Sequence, residues 1–173
     1  MQYLKKALTI LASNFTAEEK EALKGYFGFV FNDVNKTLRG EQPSNKADKE
    51  ISLIDSAMEK STAKHRVLYR GVSERALDSD AVEEVKSLEV GDTYHDPAFM
   101  SSSPSIKVGR HFAGRNGVVL ELHIRPGTPA VDRSEVDTVR TNENEILLNR
   151  GLTFTVTDVS THEGAPLVVM EMT

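Results

Sequence analysis

Hydrophobic spacing changes once along this chain, near residue 65, and that change limits the folds open to it. Before it, apolar residues recur every three or four positions. After it, they come in short runs bounded by Gly and Pro. In 3–12, Tyr3, Leu4, Ala7, Leu8, Ile10 and Leu11 leave the two lysines on one side, as an amphipathic helix would. Thr16, three residues ahead of Glu19, is a capping-box signature that opens a second helix, TAEEKEALKGYFGF. Val30, Val34 and Leu38 carry a third up to Gly40, residues 41–50 read as a polar loop, and Ile51, Ile54, Ala57 and Met58 return to helical spacing. Beyond that point RVLYRGV, AFMSSS, GVVLELHI, ENEILLN, LTFTVTDVS and PLVVMEM read as strands, AVEEVKSL as a helix, and VGRHFAG as a turn of helix or a loop. The expected architecture is α+β, with a helical lobe (residues 1–64) packed on a mainly antiparallel β core (residues 65–173) within one domain, 1–173.

Composition removes several classes of function. The 173 residues, 39% hydrophobic, suit one soluble domain, and no apolar run reaches the ~18 residues of a membrane span. The apolar stretch after Lys6 is interrupted by Thr9, Ser13 and Asn14, so no signal peptide is expected. A formal charge of −5 argues against general nucleic-acid binding, though a local basic pocket for an anion stays open. The absence of cysteine excludes disulfides, thiolate zinc sites and a Cys nucleophile. The five His (His65, His95, His111, His123, His162) show no ligand spacing, so no metal is expected. The patterns GxGxxG and GxxxxGK[ST] are missing. A monomer with neither nucleic-acid nor membrane partners is the expectation.

Four polar clusters stand on segments that otherwise read as structural. Arg70 ends an apolar run and precedes Gly71; a guanidinium beside a glycine suits bidentate binding of phosphate or carboxylate. Ser101, Ser102 and Ser103 follow Phe99 and Met100, where hydroxyls can orient a neighbouring side chain. Glu143 and Glu145, at i and i+2, would share one strand face, and like charges that close raise the pKa of one of them. Phe112 and Arg115 lie among glycines, an aromatic face and a cation that fit a planar charged ligand. Taken singly, each has a plainer reading: a salt-bridged Arg, a polar turn, a solvated strand face, a core Phe beside a surface Arg.

In this order and spacing the clusters resemble the Arg–Ser–Glu class of mono-ADP-ribosyltransferases, which includes bacterial toxins, effectors and bacteriophage enzymes. That pattern has an Arg ending the first core strand, an aromatic-x-Ser-Thr-Ser strand, then Glu-x-Glu before a later strand. Here these are Tyr69–Arg70–Gly71, Phe99–Met100–Ser101–Ser102–Ser103 and Glu143–Asn144–Glu145, with Ser102 in place of the Thr. Phe112 and Arg115 follow Ser101 by the eleven and fourteen positions found in binary-toxin relatives. The family's Tyr-x4-Tyr-x3-Asn and Leu-Arg-Gly are similar to Tyr26, Phe31, Asn35, Leu38, Arg39 and Gly40, Phe31 lacking the second hydroxyl. Ala98 stands where some toxins carry an Asn.

The resemblance implies a two-sheet β core and an enzyme that takes NAD as substrate. It would release nicotinamide and pass ADP-ribose to an arginine of a target protein. Arg70, with Arg115, would clamp the pyrophosphate, Phe112 would cover the nicotinamide, and Gly71, Ser103, Tyr26 and Asn35 would complete the NAD site. Glu145 would face the positive charge developing on the ribose, Ser101 would hold Glu145, and Glu143 would serve the acceptor guanidinium. The loop 131–142 would meet the target, with Arg133 and Arg140 turned towards an acidic surface. NAD glycohydrolysis and a catalytically silent NAD-binding module are the alternatives. A secreted, injected or phage-delivered enzyme acting in the cytosol of a target cell would fit this family.

Overall fold

The computed structural model describes residues 14–74, 79–137 and 144–173. The expected helix over 3–12, and Arg140 and Glu143, lie outside the described residues.

The helical lobe begins at α1 (Ala17–Gly25) with the capping box that Thr16 and Glu19 announce. Thr16 Oγ1 accepts from the Glu19 N–H at 3.1 Å, and Glu19 Oε2 accepts from the Thr16 N–H at 2.9 Å. A π-helical turn, Tyr26–Val30, joins α1 to α2 (Phe31–Leu38). That turn was not foreseen. Its wider pitch turns Tyr26 and Phe27 inward and leaves Phe29 95% exposed. Helix α3 (Asn45–Met58) starts six residues earlier than its apolar spacing indicates, inside the segment read as a polar loop. Ser44 Oγ caps it by accepting from the Ala47 N–H, and its first turn buries little except Ala47.

Glu19 ties α1 to the end of α3. Ser56 Oγ donates to it at 2.7 Å and Lys60 Nζ reaches both oxygens at 2.8 Å. Burial alone would raise the Glu19 pKa, but the bonds from Lys60, Ser56 and the Thr16 backbone outweigh it and hold it below the ordinary value of 4.5. A depressed carboxylate contributes stability above its unfolded pKa and loses it as pH falls through the folded value. Glu19→Gln is therefore expected to cost about 1.5–3 kcal/mol near neutrality. In denaturant titrations the gap from wild type should shrink as pH falls below 4.5. A gap that stays constant down to pH 3 would contradict this assignment.

The β core has two sheets, in the strands β1 (Val67–Val72), β2 (Thr93–Asp96), β3 (Met100–Ser102), β4 (Val118–His123), β5 (Ala130–Asp132), β6 (Ile146–Leu148), β7 (Leu152–His162) and β8 (Ala165–Met172). One sheet has the order β1-β4-β8-β7-β2 and the other β3-β6-β5. Pairing is antiparallel except between β4 and β8. Two more helices, α4 (Ser79–Lys86) and α5 (Ile106–Ala113), interrupt the strands. The second settles VGRHFAG as helix.

Period-two alternation gives the smaller sheet two buried faces. Met100, Ala130, Ile146 and Leu148 pack into the core shared with the larger sheet. Phe99, Val131 and Leu147 point the other way, into the helical lobe with Leu23, Tyr26, Val34 and Ile54. The layers therefore run helices, small sheet, large sheet, with α5 on the far side against Tyr69, Val119 and Leu167. Among the described residues no helix is long and apolar enough to cross a membrane.

Candidate active site

A cleft of about 630 Å³ opens between the helical lobe and the place where the two sheets meet. The joint is a single antiparallel bridge between Tyr69 and Ser103, with backbone bonds of 2.7 and 2.9 Å. It carries Arg70 past the end of β3. Along β1, Leu68, Arg70 and Val72 share the buried face, so the guanidinium emerges from the core, 7% exposed. Arg70 Nη1 donates to the Ser101 carbonyl at 2.9 Å, and its buried Nε has no partner. A buried, orphaned donor on a cation at the floor of a cleft fits an anionic ligand that brings its own acceptors.

Ser101 shares the face of Phe99, towards the helices, and Glu145 shares that of Leu147. Both line the cleft, together with Ser103, Gly71, Phe112, Tyr26 and Asn35. Arg115 does not: it lies in the exposed turn after α5, outside the cleft wall. The strand face expected to be shared by Glu143 and Glu145 reaches, at Glu143, outside the described residues. On the described side, Asn144 has φ +43°, a left-handed conformation, and β6 begins at Ile146, one residue after Glu145.

Tyr26 is fully buried beneath the cleft. Asn35 Nδ2 donates to its hydroxyl at 3.0 Å, and the Phe99 carbonyl lies 3.4 Å from the same oxygen. Burial pushes its pKa up to about 12, against the pull of Asn35, Arg70 and Ser101, so the phenol stays protonated as a donor. Ser102 points back into its own sheet, donating to the Ile146 carbonyl at 2.9 Å. Gly71 serves a neighbour as well as the cleft. A Cβ there would lie 2.2 Å from the Gly109 carbonyl oxygen and 2.4 Å from the Ala113 nitrogen, so its bareness lets α5 rest on β1.

On sequence grounds Arg39, Phe27 and Arg133 had no place at the cleft. Arg39 lines the cleft and pairs with Asp96. Phe27 forms part of the wall and seats Arg133, whose guanidinium carbon lies 5.5 Å from the ring centroid. Arg133 was expected to face a target. It turns inward instead, and Nη1 donates to Glu145 Oε2 at 3.2 Å. A cation stacked on a ring beside the cleft carboxylate fixes that carboxylate's aim. Only Leu38–Arg39–Gly40 was visible as a motif; the partners of Arg39 and Glu145 leave no local signal. Among the described residues no group of three or more acidic or His side chains could hold a metal ion.

The model of one protein family, described as ADP-ribosyltransferase exoenzyme, matches residues 1–172. Exoenzyme T of Pseudomonas aeruginosa is 33% identical over 143 residues, which cover 79% of this chain and 28% of Exoenzyme T. The C3 exoenzyme of Clostridium limosum matches with a TM-score of 0.76 at 21% identity, over 94% of this chain and 88% of that one. Exoenzyme S of Pseudomonas aeruginosa, solved in complex with human 14-3-3 protein beta and bound to carba-NAD, matches with a TM-score of 0.69. It is 25% identical, over 91% of this chain and 74% of that one.

Proposed function

We propose that this chain, which belongs to the ADP-ribosyltransferase exoenzyme family, transfers ADP-ribose from NAD to an arginine side chain of a target protein. The observation that supports the site is convergence: Arg70, Ser101 and Glu145, far apart in the chain, line one cleft. A space of about 630 Å³ with a cationic floor suits a dinucleotide. Arg70 holds the diphosphate, Tyr26 and Asn35 support the floor beneath it, and Phe112, half-exposed at the rim, covers the nicotinamide. Excluding water there strengthens every charge contact inside.

The bond that breaks joins nicotinamide to the anomeric carbon. The ring takes the electron pair and leaves neutral, so no acid is required. Positive charge develops on the ribose, and Glu145, held by Arg133, lies opposite it as a fixed counter-charge. Ser101 keeps the ribose and the Glu145 carboxylate in register across the cleft. A nitrogen lone pair of the acceptor guanidine then forms the new C–N bond. Its proton passes to Glu143, since a guanidinium with pKa above about 12 is a poor nucleophile while charged. The protein works in the cytosol of a target cell, reached by secretion, injection or phage delivery.

The test separates the two glutamates. Glu143→Gln should lose transfer to an arginine acceptor such as agmatine, about a hundredfold or more, yet keep NAD hydrolysis within a few fold of wild type. Nicotinamide release measured with and without acceptor reads both. Equal loss in the two assays would remove the division of roles. Release that no protein or guanidine acceptor accelerates would make water the acceptor.

A further inference from the structure

Asp96 takes no part in the chemistry above, yet it is a charged side chain only 4% exposed. It stands at the end of β2 and grips Arg39, a residue 57 positions away, by a two-pronged pair. Arg39 Nε donates to Oδ1 at 3.1 Å and Nη2 to Oδ2 at 2.8 Å. Oδ1 also accepts from the Ala98 N–H at 2.9 Å, which fixes the turn leading into Phe99 and β3. Burial alone would raise the Asp96 pKa. The bonds from Arg39, the charge of Arg70 close by and the Ala98 N–H outweigh it and keep the carboxyl ionised.

Arg39 and Arg70 both line the cleft, one from the helical lobe and one from β1. Two guanidiniums facing one cavity repel each other unless a negative charge lies between or behind them. Asp96 supplies that charge, and its fork holds the long Arg39 side chain in one orientation before any ligand arrives. We propose that Asp96 is the positioning residue for this pair of cations, setting Arg39 and Arg70 at the spacing that receives the diphosphate of a nucleotide. The inference rests on reading the cleft as the NAD site. Its signature is selectivity: the contribution of Asp96 falls on the diphosphate and leaves the nucleoside untouched.

The experiment uses the full chain as wild type, Asp96→Asn and Arg70→Ala. Thermal midpoints, ADP-ribose binding by calorimetry and adenosine binding by ligand-observed NMR are measured on each. The amide can still accept from Ala98 N–H, so Asp96→Asn is expected to fold. It should bind ADP-ribose about tenfold more weakly, with adenosine binding unchanged. KM for NAD should rise by a similar factor while kcat stays within about twofold. Unchanged ADP-ribose binding, or a parallel loss for adenosine and ADP-ribose, overturns the proposal. Should Asp96→Asn fail to fold, Arg39→Lys carries the same test, because it keeps the charge and removes the fork. Wild-type ADP-ribose affinity in Arg70→Ala would overturn the reading of the cleft itself, an outcome distinct from failure of Asp96 alone.

Discussion

Glu145→Gln should lower nicotinamide release from NAD about a hundred- to a thousandfold, while binding of NAD changes only a few fold. The substitution is nearly isosteric. An amide oxygen can still accept the Arg133 Nη1 bond that now measures 3.2 Å, so the local structure has little reason to move. What disappears is the negative charge facing the ribose when positive charge develops there. That charge matters little to the ground state, in which the ribose is neutral, and the loss should therefore fall on kcat rather than on KM. Transfer to an acceptor should drop by the same factor, because bond cleavage precedes capture. Single-turnover release of nicotinamide, with the thermal midpoint as a control for folding, reads the effect. Activity within tenfold of wild type would remove Glu145 from the chemistry.

How far the site could be read in advance depended on the distance over which each feature acts. The Thr16–Glu19 capping box is satisfied within one turn of helix, and it stands in the structure as the sequence implies. The Tyr69–Arg70–Gly71, Ser101–Ser103 and Glu145 segments are likewise short, and the sheets bring them to one cleft. Features that need a distant partner left no trace. The Arg39–Asp96 pair spans 57 residues, and the Arg133–Glu145 bond depends on β5 lying beside β6. β5 and β2 were missed because their three or four residues carry too little alternation by themselves, whereas the equally short β3 and β6 stand beside the apolar runs of AFMSSS and ENEILLN. The polar first turn of α3 hid its start, since apolar spacing marks a helix only where it is buried.

Gly71→Ala should be strongly damaging for so small a substitution, and the damage should reach both stability and NAD binding. The added Cβ would stand 2.2 Å from the Gly109 carbonyl oxygen, 2.4 Å from the Ala113 nitrogen and 2.8 Å from the Phe112 carbonyl carbon. All three are backbone atoms of one helix, so no side chain can rotate away. Helix α5 as a body must lift off β1, or β1 must bow inward against Leu120 and its neighbours. Either response opens the packing of Ala113, Val119 and Leu167. Overpacking of this kind costs about 3 kcal/mol, equivalent to a fall of roughly 6–12 °C in the thermal midpoint for a domain of this size. The functional consequence follows from position. Gly71 directly follows Arg70, and Val108, Gly109 and Phe112 of α5 also line the cleft. Displacing α5 therefore shifts the guanidinium and the rim aromatic apart, and KM for NAD should rise with the loss of stability. Gly28 is the control: a Cβ there meets nothing within 4 Å, so Gly28→Ala should leave KM for NAD unchanged. A Gly71→Ala protein with wild-type midpoint and KM would mean that α5 does not rest on β1 as closely as this packing requires.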